Sequence, residues 1–299
     1  AVLVGLGYGP VTPASSHLLA RTTPAHRMSL VFSLKQTGVP LGGVLAGALV
    51  PLLLGWGWQV ALLCVAIANL ACALVAQPLR RELDADRDAR QPFVVGHLAK
   101  PVRLVLSHPE LRRLAGCSFV FSIAQLSLTT YLVTYLNVTL GYSLVSAGVA
   151  LSVSQFAGVG GRIAWGYVAD RWLGARRMLV LLAVLMTLAA LATALLPAGT
   201  PPAAVLLVLA VYGMSAIGWN GVYLAEVARQ APAGEASVAT GGSLAFTFLG
   251  VVLGPPVFGA LAGLAGSYRV GFGAVAAVLL ACALVMSGGM RLARSARAT

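Results

Sequence analysis

The strongest constraint in this chain is a series of long, unbroken apolar runs. They span about 1 to 19, 28 to 53, 57 to 77, 113 to 136, 144 to 169, 178 to 196, 204 to 226, 238 to 264 and 269 to 290, separated by breaks rich in Gly, Pro and charge. Roughly 20 apolar residues in a helix cross the hydrocarbon core of a bilayer, and most of these runs reach that length. They are continuously apolar rather than alternating, so each segment must satisfy its backbone internally as a helix, not as a barrel strand. With 59% hydrophobic and only 9% charged residues, no soluble core could hide this much apolar surface. The expected fold class is an all-α polytopic membrane protein with nine transmembrane helices.

The net charge of +12 would suggest a nucleic-acid partner in a soluble domain, but here the basic residues gather in the breaks. One alternate set of loops holds Arg21 and Arg27, then Arg80 to Arg113, then Arg171, Arg176 and Arg177, then Arg229, and a tail with Arg291, Arg294 and Arg297. The opposite set, Leu54 to Trp56, Asn137 to Ser143, Pro197 to Pro202 and Gly266 to Val270, holds only Arg269. The positive-inside rule makes the first set cytoplasmic, with the C-terminus inside, as expected for the plasma (inner) membrane. The lipid bilayer is the partner this pattern implies, and nucleic acid is not. Cys64, Cys72, Cys117 and Cys282 are scattered through apolar runs without paired spacing and read as packing residues.

Ala20 to Ser29 (ARTTPAHRMS) and Ala228 to Ser237 (ARQAPAGEAS) share five residues in ten without a gap. Both copies sit in a polar break, one after the first run and one after the seventh, so the repeating unit is six helices. Residues 79–112, with eight basic and five acidic side chains between Arg80 and Arg113, form the one long connection and the natural linker. The expected organisation is therefore 1–78 as the second half of a first bundle (helices four to six), 79–112 as a cytoplasmic linker, and 113–299 as a second bundle (helices seven to twelve). On that count the chain is expected to be a fragment of a twelve-helix protein, its first three helices missing.

The fifth and sixth runs are joined by Gly161-Arg162-Ile-Ala-Trp-Gly166-Tyr-Val-Ala-Asp170-Arg171-Trp-Leu-Gly174-Ala-Arg176-Arg177. This resembles the signature loop of the major facilitator superfamily, Gly-x-x-x-Asp-Arg-x-Gly-x-Arg-Arg, in its copy between helices eight and nine. It carries one residue more than the pattern, because Trp172 and Leu173 occupy the space of one. Gly166 and Asp170, four apart, share a helix face where Gly admits a neighbouring helix closely. The resemblance implies two pseudo-symmetric helical bundles, the first incomplete here. It also implies gating roles for Gly166, Asp170 and Arg171, with Asp170 facing the start of a helix in its own half and an adjacent Arg. Gly55-Trp56-Gly57-Trp58 resembles the opening of the family's sixth helix without its Arg. Gly38-Val-Pro40-Leu-Gly42-Gly43 and Gly250-Val-Val-Leu-Gly254-Pro255-Pro256 match the antiporter motif only in part, and antiport is not established by them.

Ionisable groups within a membrane are costly, which makes them site candidates. Arg162 lies eight residues before Asp170, about 12 Å along the helix, and Lys35 lies about 10 Å beyond Met28. Snorkelling of both to the interface is the competing reading. Facing a cavity, these two cations favour an anionic solute such as a carboxylate, and the Arg162-x-x-x-Gly166-x-x-x-Asp170 spacing resembles the eighth helix of family members that move organic anions. Gln155, Gln36, Gln125, Trp219 and Asn220 complete the expected substrate-binding set. The sequence shows no metal spacing, nucleophile motif or nucleotide loop, so neither a cofactor nor an enzyme is expected. The expectation is a secondary active transporter of a small solute, acting as a monomer by alternating access, with a proton as candidate coupling ion. An exporter of drugs or organic cations is the alternative, with a membrane receptor or enzyme as the competing class.

Overall fold

The computed structural model describes residues 2–42, 53, 56–80 and 99–295. Packing divides the chain into two compact units, Ala1–Thr37 with His97–Thr299, and Gly38–Gly96. In the first unit lie α1 (Val2–Tyr8), α2 (Val11–Thr22) and α3 (Met28–Gln36). The same unit holds α5 (Lys100–Ser107), α6 (Pro109–Leu140), α7 (Leu144–Val168), α8 (Ala175–Leu195), α9 (Pro202–Ala216), α10 (Asn220–Gln230), α11 (Ala236–Ala265) and α12 (Tyr268–Ser295). The second unit contains helical residues 38–42 and α4 (Trp58–Ala76). No strand occurs among the described residues.

Seven helical segments among the described residues are long and apolar enough to cross a membrane: Trp58–Ala76, Pro109–Leu140, Leu144–Leu173, Ala175–Leu195, Pro202–Gln230, Ala236–Ala265 and Tyr268–Gly288. Each coincides with an expected run. The run 1 to 19 is instead split into α1 and α2 at Gly9-Pro10. Of the run 28 to 53, residues 43–52 lie outside the described residues, as does most of the expected linker. The run 204 to 226 is interrupted, α9 stopping at Ala216 and α10 starting at Asn220.

In lipid the apolar effect gives little between helices, so close backbone approach must supply the packing, and small residues mark each crossing. A Cβ on Gly250 would come within 2.3 Å of the Phe119 carbonyl, which is why α11 and α6 lie against each other there. The Ser122 hydroxyl, freed to reach across, donates to the Thr247 carbonyl (2.8 Å), and Tyr131 donates to the Pro255 carbonyl (2.9 Å). Gly158, Gly161 and Gly213 do the same for α7 against α9, the Gly213 position leaving only 2.0 Å between a Cβ and the Ser154 carbonyl. The nearly featureless α8 buries Met178, Leu179, Leu182 and Met186 and exposes Leu188, Leu191 and Leu195, so one face packs on protein while the other is left to the surroundings. By contrast α4, within its own unit, buries only Ala61.

Candidate functional site

Two places in the first unit concentrate charge. The first is the end of α7. Its helix passes into a π-turn, Ala169–Leu173, closed by the Gly174 N–H on the Ala169 carbonyl (2.8 Å). A π-turn takes up one residue more than an α-turn, and this is how the extra residue at Trp172-Leu173 is accommodated. Gly174 then leaves with φ of +75°, a backbone turn that favours Gly, before α8 begins.

The turn places Asp170 against the start of α3. Its carboxylate accepts from the backbone N–H of Ser29 (3.1 Å) and Leu30 (2.7 Å), groups that a helix N-terminus leaves without internal partners. Arg229 closes the other side, donating to Asp170 Oδ1 (3.1 Å), the Ser29 hydroxyl (3.0 Å) and the Ala25 carbonyl (2.9 Å). The Asp170 side chain keeps only 7% exposure. A turn back along α7, a Cβ on Gly166 would lie 2.6 Å from the Ser33 hydroxyl, so α3 rests directly on this face. Gly221 on α10 meets Ser33 from another side, its Cβ position 2.1 Å from the Ser33 Cα.

Two expectations are corrected here. The helix facing Asp170 is α3, in the segment expected to belong to the first half rather than to the half of Asp170, and its N-terminal amides are what reach the π-turn. The guanidinium on Asp170 is that of Arg229 and not of the neighbouring Arg171, whose side chain is exposed as the turn rotates it outward. Arg229 was not a site candidate, although the repeat contained it: the two copies touch, Arg229 of one bonding Ala25 and Ser29 of the other. Beyond it the charges continue in alternation, Arg229 with Glu226 (3.9 Å), Glu226 with Arg176 (3.8 Å), Arg176 with Glu110, and Glu110 with Arg113 (2.9 Å).

The second place is the break between α9 and α10. Ending a helix leaves its last carbonyls without internal donors, and α7 supplies two. Trp165 Nε1 donates to the Met214 carbonyl (2.7 Å) and Arg162 Nε to the Ile217 carbonyl (3.1 Å). A second Arg162 nitrogen, Nη1, donates to the carbonyl of Gln36, the last residue of α3. Arg162 is thereby 4% exposed. Gln36 contributes its backbone rather than its buried amide. Next to it, Lys35 has a buried Nζ with no hydrogen-bond partner among the described residues. Just past the break, Trp219 Nε1 (3.0 Å) and Asn220 Nδ2 (3.5 Å) converge on Gln125 Oε1 of α6. Phe121 and Tyr223 hold the Trp219 ring edge-on at 5.5 and 5.3 Å. Of the seven expected binding residues, Arg162 meets the backbone of Gln36 at the end of α3, where Lys35 is the preceding residue in the chain, and Gln125, Trp219 and Asn220 come together at the break. Gln155, about 10 Å from Arg162 along α7, is exposed and joins neither group.

The sequence profile of the Major Facilitator Superfamily matches residues 1–243. The chain belongs to the Major Facilitator Superfamily. Among curated relatives, a gentisate transporter of Corynebacterium glutamicum is 28% identical over 271 residues, covering 87% of this chain and 59% of its own length. Monocarboxylate transporter 13 of Bos taurus is 27% identical, covering 86% of this chain and 59% of the relative. The crystal structure of the E. coli fucose:proton symporter FucP superposes with a TM-score of 0.70 at 14% identity, covering 93% of this chain and 72% of that one. The chain thus spans about three-fifths of the length of the curated relatives it matches, and it shares the superfamily fold. It is a multi-pass membrane protein of a transporter family.

Proposed function

We propose that the intact protein is a secondary transporter that moves a small organic anion, most simply a carboxylate, by alternating access. The observation that carries this reading is the charge imbalance at the end of α3. Arg162 is there, as is Lys35, whose Nζ has no hydrogen-bond partner among the described residues, while the described acidic residues, Glu110, Asp170, Glu226 and Glu235, are placed at helix ends elsewhere. A cation buried without a counter-charge is costly, and an incoming carboxylate supplies one. Relatives named as gentisate, monocarboxylate and hexuronate transporters support the same class. An organic cation would meet the wrong sign of charge.

In this reading Arg162 and Lys35 hold the anion, with Gln36 beside them and Gln125, Trp219 and Asn220 as the neutral polar wall, while Gly166, Asp170 and Arg229 form the gate. Gly166 sets the helix approach and Asp170 fastens it. Arg171 sits beside the gate rather than in it. The moving parts are the bundle within 1–78 and the bundle 113–299, joined through 79–112, and the gate end is cytoplasmic by its excess of Arg. A membrane that is negative inside opposes entry of an anion by about 2.3 kcal/mol per charge per 100 mV, so a co-transported proton, making the step electroneutral, is the coupling ion proposed.

The test is uptake of radiolabelled gentisate, glucuronate and pyruvate by the intact protein in proteoliposomes, with and without a proton gradient, beside Arg162→Ala and Lys35→Ala. The reading requires flux of at least one carboxylate that both substitutions reduce. Undiminished flux in both variants removes the two residues from the site, and flux of organic cations alone overturns the substrate class.

A further inference from the structure

Arg162 makes two hydrogen bonds, and each one answers a defect in a different helix. In a continuous α-helix the Gln36 carbonyl would accept from the N–H of residue 40, but residue 40 is Pro and has none. The Ile217 carbonyl would accept from residue 221, but α9 has stopped and the chain passes through Gly218 and Trp219 before α10 resumes. One guanidinium takes both orphaned carbonyls, reaching from α7 to α3 on one side and to the α9–α10 break on the other. By the six-helix repeat, α3 belongs to the first half and α7, α9 and α10 to the second. The bond to Gln36 therefore ties the halves at the level of Lys35, well away from the Asp170 contact, which lies two turns of α7 further on.

We propose that this tie is what the substrate undoes: a carboxylate arriving at Arg162 competes with the carbonyls of Gln36 and Ile217, so that occupancy of the site loosens the halves. The competitive part rests on the anion reading above; the tie itself does not. The chemistry favours exchange in that direction. An ionised acceptor bonds a guanidinium about twice as strongly as a neutral carbonyl, and a two-toothed approach along the Nη1–Nη2 edge competes for the Nη1 group that now bonds Gln36. Pro40 and the break keep the displaced carbonyls without a helical donor, so the tie re-forms when the anion leaves. A ligand shifts an equilibrium only by binding its two states differently, and here the difference is whether Arg162 is free to turn to it.

The decisive variant is Pro40→Ala. It gives the Gln36 carbonyl an in-helix donor and weakens the tie while leaving the guanidinium and its charge untouched, and removing Pro from a helix interior does not threaten folding. Spin labels at His26→Cys and Ala233→Cys, both exposed and flanking the Arg229–Ala25 contact, report gate separation in the intact, otherwise cysteine-free protein in nanodiscs. Without ligand, Pro40→Ala and Arg162→Ala each raise the separated fraction, by about five-fold for one lost hydrogen bond. Arg162→Lys, which keeps the charge but cannot span two carbonyls, lies between wild type and Arg162→Ala. Pro40→Ala also lowers the gentisate concentration needed for separation. Because both act through one bond, Pro40→Ala adds nothing on the Arg162→Ala background. Wild-type distributions in all three single variants, or additive effects in the double variant, overturn the tie. If the variants separate as expected but neither gentisate, glucuronate nor pyruvate moves the wild type, the tie stands and the anion reading fails.

Discussion

The gate at the end of α7 and the site at the end of α3 are built from the same helices, yet they treat charge in opposite ways. At the proposed gate the buried charge is answered and the chain of pairs continues outward: Asp170 has two helix N-terminal amides and Arg229, and Arg229, Glu226, Arg176, Glu110 and Arg113 alternate in sign. At the end of α3 the hydrogen bonds of Arg162 among the described residues go to neutral carbonyls, and the Lys35 ammonium has no hydrogen-bond partner among them. A closed electrostatic circuit fastens two parts of a protein together. An open one can receive an ion, and on the proposed reading that difference separates a latch from a binding site within one pair of helices.

The contrast can be broken first at Asp170. Asp170→Ala leaves Arg229 and the α3 amides without their acceptor, and loss of one partner of a buried pair costs about 3–5 kcal/mol, so uptake should fall by roughly two orders of magnitude. Labels across the gate should show it open without ligand, and near-normal uptake would mean that the circuit does not fasten it. Arg162→Ala comes next: losing charge-assisted hydrogen bonds to a carboxylate corresponds to roughly a 10- to 100-fold drop in apparent affinity, with cell-surface expression preserved. A matched loss for an uncharged solute would show instead that the residue only supports the fold. Gly221→Ala is smaller and acts on packing, since the new methyl meets backbone at Ser33. Overpacking at such a crossing costs about 1–3 kcal/mol, read as a lower melting temperature in detergent. Smallest is Arg171→Ala, expected to change uptake by less than about two-fold because that side chain is exposed, in contrast to a large loss in Arg229→Ala. Equal effects of the two would restore Arg171 as the gate arginine.

The apolar runs were enough to read seven membrane-length helical segments, because a membrane leaves the backbone few other options, but not the interruptions at Gly9-Pro10 and 217–219. The close approach at Gly166 likewise follows from a glycine one turn before Asp170, since only a missing side chain explains that spacing beside a functional acid. The partner of Asp170 was hidden for a different reason: Arg229 is 59 residues away and Ser29 is 141 residues away, and no local period connects them. The repeat carried a usable signal, for its two copies are the segments that meet. The break at 217–219 was masked by composition, because Ile217, Gly218 and Trp219 are as apolar as the helix they interrupt. Only the side chains of α7 that answer its carbonyls, Arg162 and Trp165, reveal it. Gln155 shows the converse, a residue on nearly the right face whose depth in the bundle periodicity could not supply.

The proposed role of Arg162 and Lys35 is to receive a carboxylate. It is tested most directly by competition for uptake in proteoliposomes between carboxylic acids and their own carboxamides, which match in shape and differ in charge. The account predicts that a transported acid, gentisate being the first to try, is inhibited by unlabelled acid and is at least about 100-fold less sensitive to its amide. Equal inhibition by acid and amide would contradict it, since the site would then be reading shape and not charge.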